Sequence, residues 1–184
     1  REVGYDNLGT WEWIISPSGK PFLMEVNSRI QVENGVSAVI SRIKGKSGVD
    51  LIAEQIRLGL GEPVGYVQDD IAFEGVGIEY RIVAEDPENK FIPCPGRIEA
   101  FSWPEFPWLQ MYTQVPGDKP YEIPTEYDPN LALAVIWGKD LEEAKARGLE
   151  FLDNLTLTGQ DFAGNALRSN VGFLREKTKT LLEF

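Results

Sequence analysis

Glu25-Val-Asn-Ser-Arg-Ile-Gln-Val-Glu33 places a polar group at every second position: Glu25, Asn27, Arg29, Gln31 and Glu33. Val26, Ile30 and Val32 lie among them. In an extended strand this spacing sends the polar groups to one face and the apolar ones to the other. A solvated strand alternates in the same way, so the residue types carry more than the alternation. They are two carboxylates, two carboxamides and one guanidinium. That set can hold a metal, an anion and a general base along one short line.

The preceding segment adds to this reading. Trp11-Glu-Trp-Ile-Ile15 and Pro21-Phe-Leu-Met-Glu25 read as strands joined by Ser16-Pro-Ser-Gly-Lys20. Pro17, Ser18 and Gly19 suit a tight hairpin. A turn centred between Ser18 and Gly19 pairs residues whose numbers sum to 37. Glu12 then faces Glu25, and Thr10 faces Asn27. Facing side chains on a sheet lie about 5 Å apart. Two carboxylates that close repel unless one is protonated or a cation sits between them. A hard divalent cation, with phosphate and water in its remaining positions, fits such a pair. Two exposed glutamates on a solvated hairpin face fit it as well.

Composition narrows the classes. The 184 residues suffice for one ordinary domain or two small lobes, and 42% hydrophobic residues supply a core. The net charge of −11, with no basic stripe, argues against a nucleic acid partner. No apolar run approaches membrane-spanning length and no secretory signal opens the chain, so the expectation is a cytoplasmic protein without a membrane partner. The single cysteine, Cys94, excludes an internal disulfide framework and fits a reducing compartment. Lying between Pro93 and Pro95, it reads as a small buried residue. With no histidine, acid–base work falls to carboxylates, lysine, tyrosine or water.

Further along, Gln31 to roughly Ile43 reads as turning helical. Lys44-Gly-Lys-Ser-Gly48 superficially resembles a phosphate-binding loop, but Ile40 stands where that motif needs glycine, so it reads as a flexible connector. Val49–Leu60 reads as a helix with Val49, Ile52, Ile56 and Leu60 on one face and Gly61 as its stop. A linker runs from Pro63 to about Asp70. Residues 75–84, 96–103, 109–115 and 131–137 read as strands broken by proline-rich turns. Asp140 caps a helix to Asn154, 159–170 has no clear pattern, and 168–184 reads as a last helix. The five tryptophans, Trp11, Trp13, Trp103, Trp108 and Trp137, read as core and turn packing. Strands followed by helices predict an α+β fold.

Gly4-Tyr-Asp-Asn-Leu-Gly-Thr-Trp-Glu12, then Met24 through Glu33, resembles the biotin carboxylase family of ATP-grasp enzymes. Matches continue in order through Gly48-Val-Asp-Leu-Ile-Ala-Glu-Gln-Ile-Arg57, Ile78-Glu-Tyr-Arg-Ile82, Ala84-Glu-Asp-Pro-Glu-Asn89 and Phe91-Ile-Pro-Cys-Pro-Gly-Arg-Ile98. Tyr127-Asp128 and Leu167-Arg-Ser-Asn170 are weaker echoes. The likeness is dense from Gly4 to Ile98 and thin beyond. The glutamate-x-asparagine pair is general among ATP-grasp enzymes; Arg29-Ile-Gln-Val-Glu33 is what points to biotin carboxylases.

The resemblance implies that residues 1–63 form the C-terminal part of an ATP-grasp domain. Residues 64–184 would form the biotin carboxylase C-terminal domain, a mainly antiparallel sheet with helices. It implies ATP-dependent carboxylation of carrier-bound biotin with bicarbonate. Glu12, Glu25 and Asn27 match ligands of Mg2+ (or Mn2+) at the ATP phosphates. Arg29, Gln31 and the Val32 backbone match a bicarbonate cradle, and a guanidinium fork suits that planar anion. Glu33 matches the base; Arg29 and Asn27 complete the catalytic set. Ile14, Glu25 and Leu167 match ATP contacts, and Gln110 stands at the biotin-binding position. Implied partners are a biotin carrier domain, a carboxyltransferase domain or subunit, and a second copy joined through the C-terminal domain.

Three departures accompany the likeness. Asn34 and Gly35 follow the base where the family has histidine and proline, which is expected to loosen the turn. Gln110 replaces a family arginine, and Trp103-Pro-Glu-Phe-Pro-Trp108 replaces a glycine-rich loop. A family lysine beyond Tyr127-Asp128 is absent. The glycine-rich lid and phosphate-binding lysines of an ATP-grasp site are not among these residues, so the chain is expected to be part of a larger enzyme and inactive alone. Alternatives are an ATP-grasp ligase with another acceptor and an inactive assembly module.

Overall fold

The structure, a computed structural model, describes residues 4–181. Two compact units divide between Glu74 and Gly75. The fold is α+β, with short helices and antiparallel strands in each unit.

The first unit opens with a hairpin of β1 (Thr10–Ile15) and β2 (Pro21–Asn27). Ser16 N donates to Lys20 O and Gly19 N to Ser16 O, both at 2.9 Å. Gly19 has φ +79°, a conformation that favours glycine. This turn pairs Ile15 with Pro21 and Trp13 with Leu23, so the numbers sum to 36 beside the turn. Met24 is then the extra residue of a bulge, and beyond it the sum is 37. Glu12 faces Glu25 and Thr10 faces Asn27, as expected, but the bulge rather than the turn alone sets that register.

The second hairpin strand ends at Asn27, and the alternation from Ser28 to Glu33 is not carried by a strand. The pairing with β1 ends at Thr10, opposite Asn27, and residues 4–9 before it are not in a strand. α1 (Asn34–Ile40) follows, with Glu33 at its N-cap position. The helix also ends earlier than expected, because Ser41 to Ile43 form β3. α2 (Leu51–Gly59) is capped by Asp50, whose Oδ1 accepts from Ile52 N and Ala53 N at 3.0 and 2.9 Å. Its expected apolar face is present, yet Ile52, Ile56 and Leu60 are exposed. β4 (Ile71–Phe73) pairs with β3, which holds residues 64–74 in this unit. The Lys44–Gly48 loop is pinned: Ile43 N and Lys46 N each donate to the other's carbonyl at 3.0 Å, and Lys44 N donates to Asp70 O at 2.8 Å.

The second unit holds β5 (Val76–Val83), β6 (Glu85–Asp86), β7 (Ile92–Pro93), β8 (Gly96–Ser102), β9 (Leu109–Thr113), β10 (Tyr121–Glu122) and β11 (Asn130–Gly138). α3 (Leu141–Asn154), β12 (Thr156–Asp161) and α4 (Val171–Lys179) complete it. One antiparallel sheet runs β5-β11-β9 and another β10-β8-β12. α3 starts where Asp140 Oδ1 accepts from Glu143 N at 2.8 Å. It buries Ala144, Gly148, Phe151 and Leu152, a single helical face, against the first sheet. Phe151 and Leu152 join Tyr80, Ile82, Ile98, Leu131 and Ile136 in the core. Emptying the Phe151 position costs about 3–5 kcal/mol by the large-to-small rule.

Several expectations change here. The patternless stretch supplies β12 up to Asp161, followed by a turn around that carboxylate. The last helix spans Val171–Lys179, and residues 182–184 lie outside the described residues. Trp103 and Trp108 pack against the core as expected, but Trp11 and Trp13 on the hairpin are 44% and 50% exposed. Cys94 is half-buried, its Sγ accepting from Arg168 N at 3.4 Å.

Candidate functional site

The hairpin brings three of the expected residues together. Asn27 Nδ2 donates to Glu12 Oε1 at 2.9 Å and to Glu25 Oε1 at 3.0 Å. Antiparallel pairing supplies the Glu12–Glu25 apposition, and the two-residue repeat of β2 puts Asn27 on their face. Both oxygens point to one N–H2 group, the positive end of the amide dipole. Mutual repulsion of the carboxylates is offset there, and the same place suits a cation. The donor set is hard oxygen: two carboxylates and, with its amide turned, a carboxamide oxygen. Among the described residues no cluster of three or more histidine, cysteine, aspartate or glutamate groups exists to hold a metal. A cation held by one or two carboxylates and completed by phosphates and water is the magnesium pattern, so the residues fit that ion.

The next residues form a second grouping. Arg29 Nη1 donates to Gln31 Oε1 and to Ile30 O, both at 3.2 Å. The Gln31 oxygen is thereby occupied, which leaves its N–H2 to act beside the guanidinium as a donor surface for an anion. Asn34 Nδ2 donates to Gln31 O at 2.8 Å and to Val32 O at 3.4 Å. Asn34 therefore holds the turn that it was expected to loosen, and Gly35 is buried inside α1. Glu33 stands at the entrance of α1, and its side chain does not cap the helix. It is off the strand, so the expected shared strand face of Gln31 and Glu33 is replaced by a bend and a helix start.

Ile14 lies two residues beyond Glu12 on β1 and is exposed. Leu167 belongs to the second unit, where its N–H donates to Gly159 O at 3.0 Å and its side chain packs against that unit's core. Gln110 is exposed on β9, opposite Val135. Tyr112 Oη donates to Gln110 Oε1 at 3.0 Å.

Three contributors escaped sequence reasoning. Met24 sets the register, Asn34 closes the turn, and Asn170 ties α4 to β5. Asn170 Oδ1 accepts from Val83 N at 3.0 Å and its Nδ2 donates to Arg81 O at 2.8 Å. Only the asparagines carried a sequence signal, since both precede or open a helix.

A family model for the biotin carboxylase C-terminal domain matches residues 79–177, and one for the carbamoyl-phosphate synthase L chain, ATP binding domain, matches residues 1–67. Biotin carboxylase 2, chloroplastic, of Populus trichocarpa is 40% identical over 157 residues, 85% of this chain and 28% of the relative. The biotin carboxylase of a Nostoc species is 38% identical over 157 residues, 85% of this chain and 33% of the relative. The chain thus spans about a third of the length of the curated relatives it matches. Among solved structures, the biotin carboxylase domain dimer of Hydrogenobacter thermophilus 2-oxoglutarate carboxylase, in complex with MgADP, ADP and bicarbonate, superposes with a TM-score of 0.83. It is 33% identical, and the match covers 97% of this chain and 36% of that one.

Proposed function

The chain belongs to the biotin carboxylase family, and on that premise we propose that it serves ATP-dependent carboxylation of carrier-bound biotin with bicarbonate. The observation that carries this reading is the Asn27 amide between the Glu12 and Glu25 carboxylates, with the Arg29–Gln31 pair following directly in sequence.

Glu12, Glu25 and Asn27 would hold Mg2+ or Mn2+, which when bound neutralises phosphate charge so that an oxyanion can approach. Arg29 and Gln31, with the Val32 backbone, orient bicarbonate through paired hydrogen bonds. The Glu33 carboxylate accepts the proton of bicarbonate and so raises the nucleophilicity of the oxygen left behind. Ile14 offers an apolar contact for adenine from the first unit. Gln110 meets the biotin acceptor. A carrier domain, a carboxyltransferase and a second copy joined through the C-terminal domain are the partners on this reading. The dimer of the Hydrogenobacter domain supports a second copy as a partner.

One observation favours a second reading. Gln110 is neutral, and its facing residue Val135 and bonded neighbour Tyr112 are neutral too, so neither offsets a developing negative charge as arginine would. An ATP-grasp ligase with another acceptor fits that feature. ATP cleavage by the complete polypeptide carrying these residues, measured with bicarbonate and biotin varied separately, decides. Dependence on both supports biotin carboxylation. Dependence on bicarbonate alone moves the assignment to the second reading, and dependence on neither removes both.

A further inference from the structure

Asn34 follows the proposed base directly and reaches back along the chain. Its Nδ2 donates to Gln31 O at 2.8 Å and to Val32 O at 3.4 Å. Its backbone N–H donates to the same Gln31 O at 3.3 Å. Both side-chain partners are carbonyl oxygens, so only the N–H2 half of the carboxamide can meet them. The Gln31 carbonyl is thus held by the main chain and the side chain of one residue.

That hold fixes where a neighbouring donor points. In a trans peptide the C=O and the following N–H lie in one plane and point in opposite directions. With the Gln31 oxygen turned toward Asn34, the Val32 N–H is turned away from it. This N–H has no hydrogen-bond partner among the described residues, and Val32 is 42% exposed. Val32 precedes Glu33, the N-cap residue of α1, so its N–H owes its direction to Asn34 and not to the helix. The Gln31 side chain is set separately, by the Arg29 Nη1 bond to its Oε1 at 3.2 Å. Arg29 therefore orients a side-chain donor and Asn34 a backbone donor one residue later. The family pattern has histidine at this position, so the role is read from the asparagine's own bonds.

We infer that Asn34 is a positioning residue for the anion: by holding the Gln31 carbonyl it presents the Val32 N–H as a fixed donor to bicarbonate. This rests on the proposed function, which places the Val32 backbone in the bicarbonate cradle. Asn34 itself touches no substrate. A donor fixed before the anion arrives spares the ordering that a free peptide would undergo on binding.

The test is steady-state kinetics of the complete polypeptide and of two variants, Asn34→Ala and Asn34→Leu. Leucine keeps a branched side chain and removes the donor. Both replacements are better helix formers than asparagine, so neither weakens α1 by propensity, and thermal melts verify folding. Each variant should raise the KM for bicarbonate about tenfold, the loss of one hydrogen bond to a charged group. The kcat at saturating bicarbonate and the KM for ATP should stay at the parent values. NMR with isotopically labelled valine adds a direct readout. Bicarbonate near the parent's KM should move the Val32 amide proton downfield in the parent and leave it nearly still in Asn34→Ala. An unchanged KM for bicarbonate in both variants overturns the assignment. A parent KM restored by leucine but not by alanine points to packing and overturns it too. So do equal rises in the KM for ATP and for bicarbonate, or a Val32 amide indifferent to bicarbonate in a parent that cleaves ATP with it. The proposed function survives each of these results. A parent protein without bicarbonate-dependent cleavage removes the proposed function and this inference together.

Discussion

Asn27 Nδ2 stands 2.9 Å from Glu12 Oε1 across the hairpin, and the same nitrogen reaches Glu25 on its own strand at 3.0 Å. The contact exists because a bulge at Met24 advances β2 by one residue. Without it, the register of the turn would place Met24 opposite Glu12. One residue of slip exchanges the faces of a strand, so the bulge decides whether two carboxylates or a carboxylate and a thioether share this surface.

Asn27→Ala should therefore weaken the metal dependence of the complete enzyme. Loss of a group that orients or completes a metal site typically costs about 10- to 100-fold in metal affinity. Magnesium activation curves for ATP cleavage check this. An unchanged activation constant would remove Asn27 from the site.

Asn170→Ala should destabilise the second unit by about 2 kcal/mol, from unsatisfied buried backbone groups. The side chain is buried and satisfies Val83 N and Arg81 O at once. Urea unfolding followed by far-ultraviolet circular dichroism measures the change. A midpoint equal to the parent's would show that the α4–β5 tie carries no stability.

Asp161 gives a pH signature. The Asn165 side chain donates to its carboxylate, as do the N–H groups of Asn165 and Ala163, and these bonds hold its pKa below the usual carboxylate range. A lowered folded-state pKa contributes stability that is present above the unfolded value and lost as pH falls through the folded one. The turn at residues 161–165 should accordingly stay formed at neutral pH and open only below about pH 4. Side-chain carboxyl shifts followed by NMR should place the Asp161 midpoint below those of exposed aspartates. A midpoint among theirs contradicts the hydrogen-bonded turn.

Much of this architecture was legible in the residues. The strand segments of β5, β8, β9 and β11 between proline-rich turns, the Asp140 cap and the helical spacing of α3 are local signals, and local physics obeyed them. What escaped depends on distant partners. The segment from Ser28 to Glu33 alternates like a strand, but the pairing of β1 ends at Thr10 and the residues before it form no strand. β12 is polar and contains Gly159, so it lacks the look of a strand. It forms because Gly159 lets the chain approach β8, where a Cβ would lie 2.2 Å from Arg97 O. The Glu12–Glu25 facing was anticipated from the turn, yet the turn alone gives the neighbouring register.

The central claim is that the residues from Glu25 to Glu33 activate bicarbonate, with Glu33 as the base. Glu33→Gln in the complete enzyme tests it most directly, by bicarbonate-dependent ATP cleavage beside nucleotide affinity. Removing a base acts on the chemical step more than on ground-state binding. The variant should lose about 10²- to 10⁴-fold in bicarbonate-dependent turnover, with nucleotide affinity little changed. Near-normal turnover would contradict the account, because the proton of bicarbonate would then leave by another route.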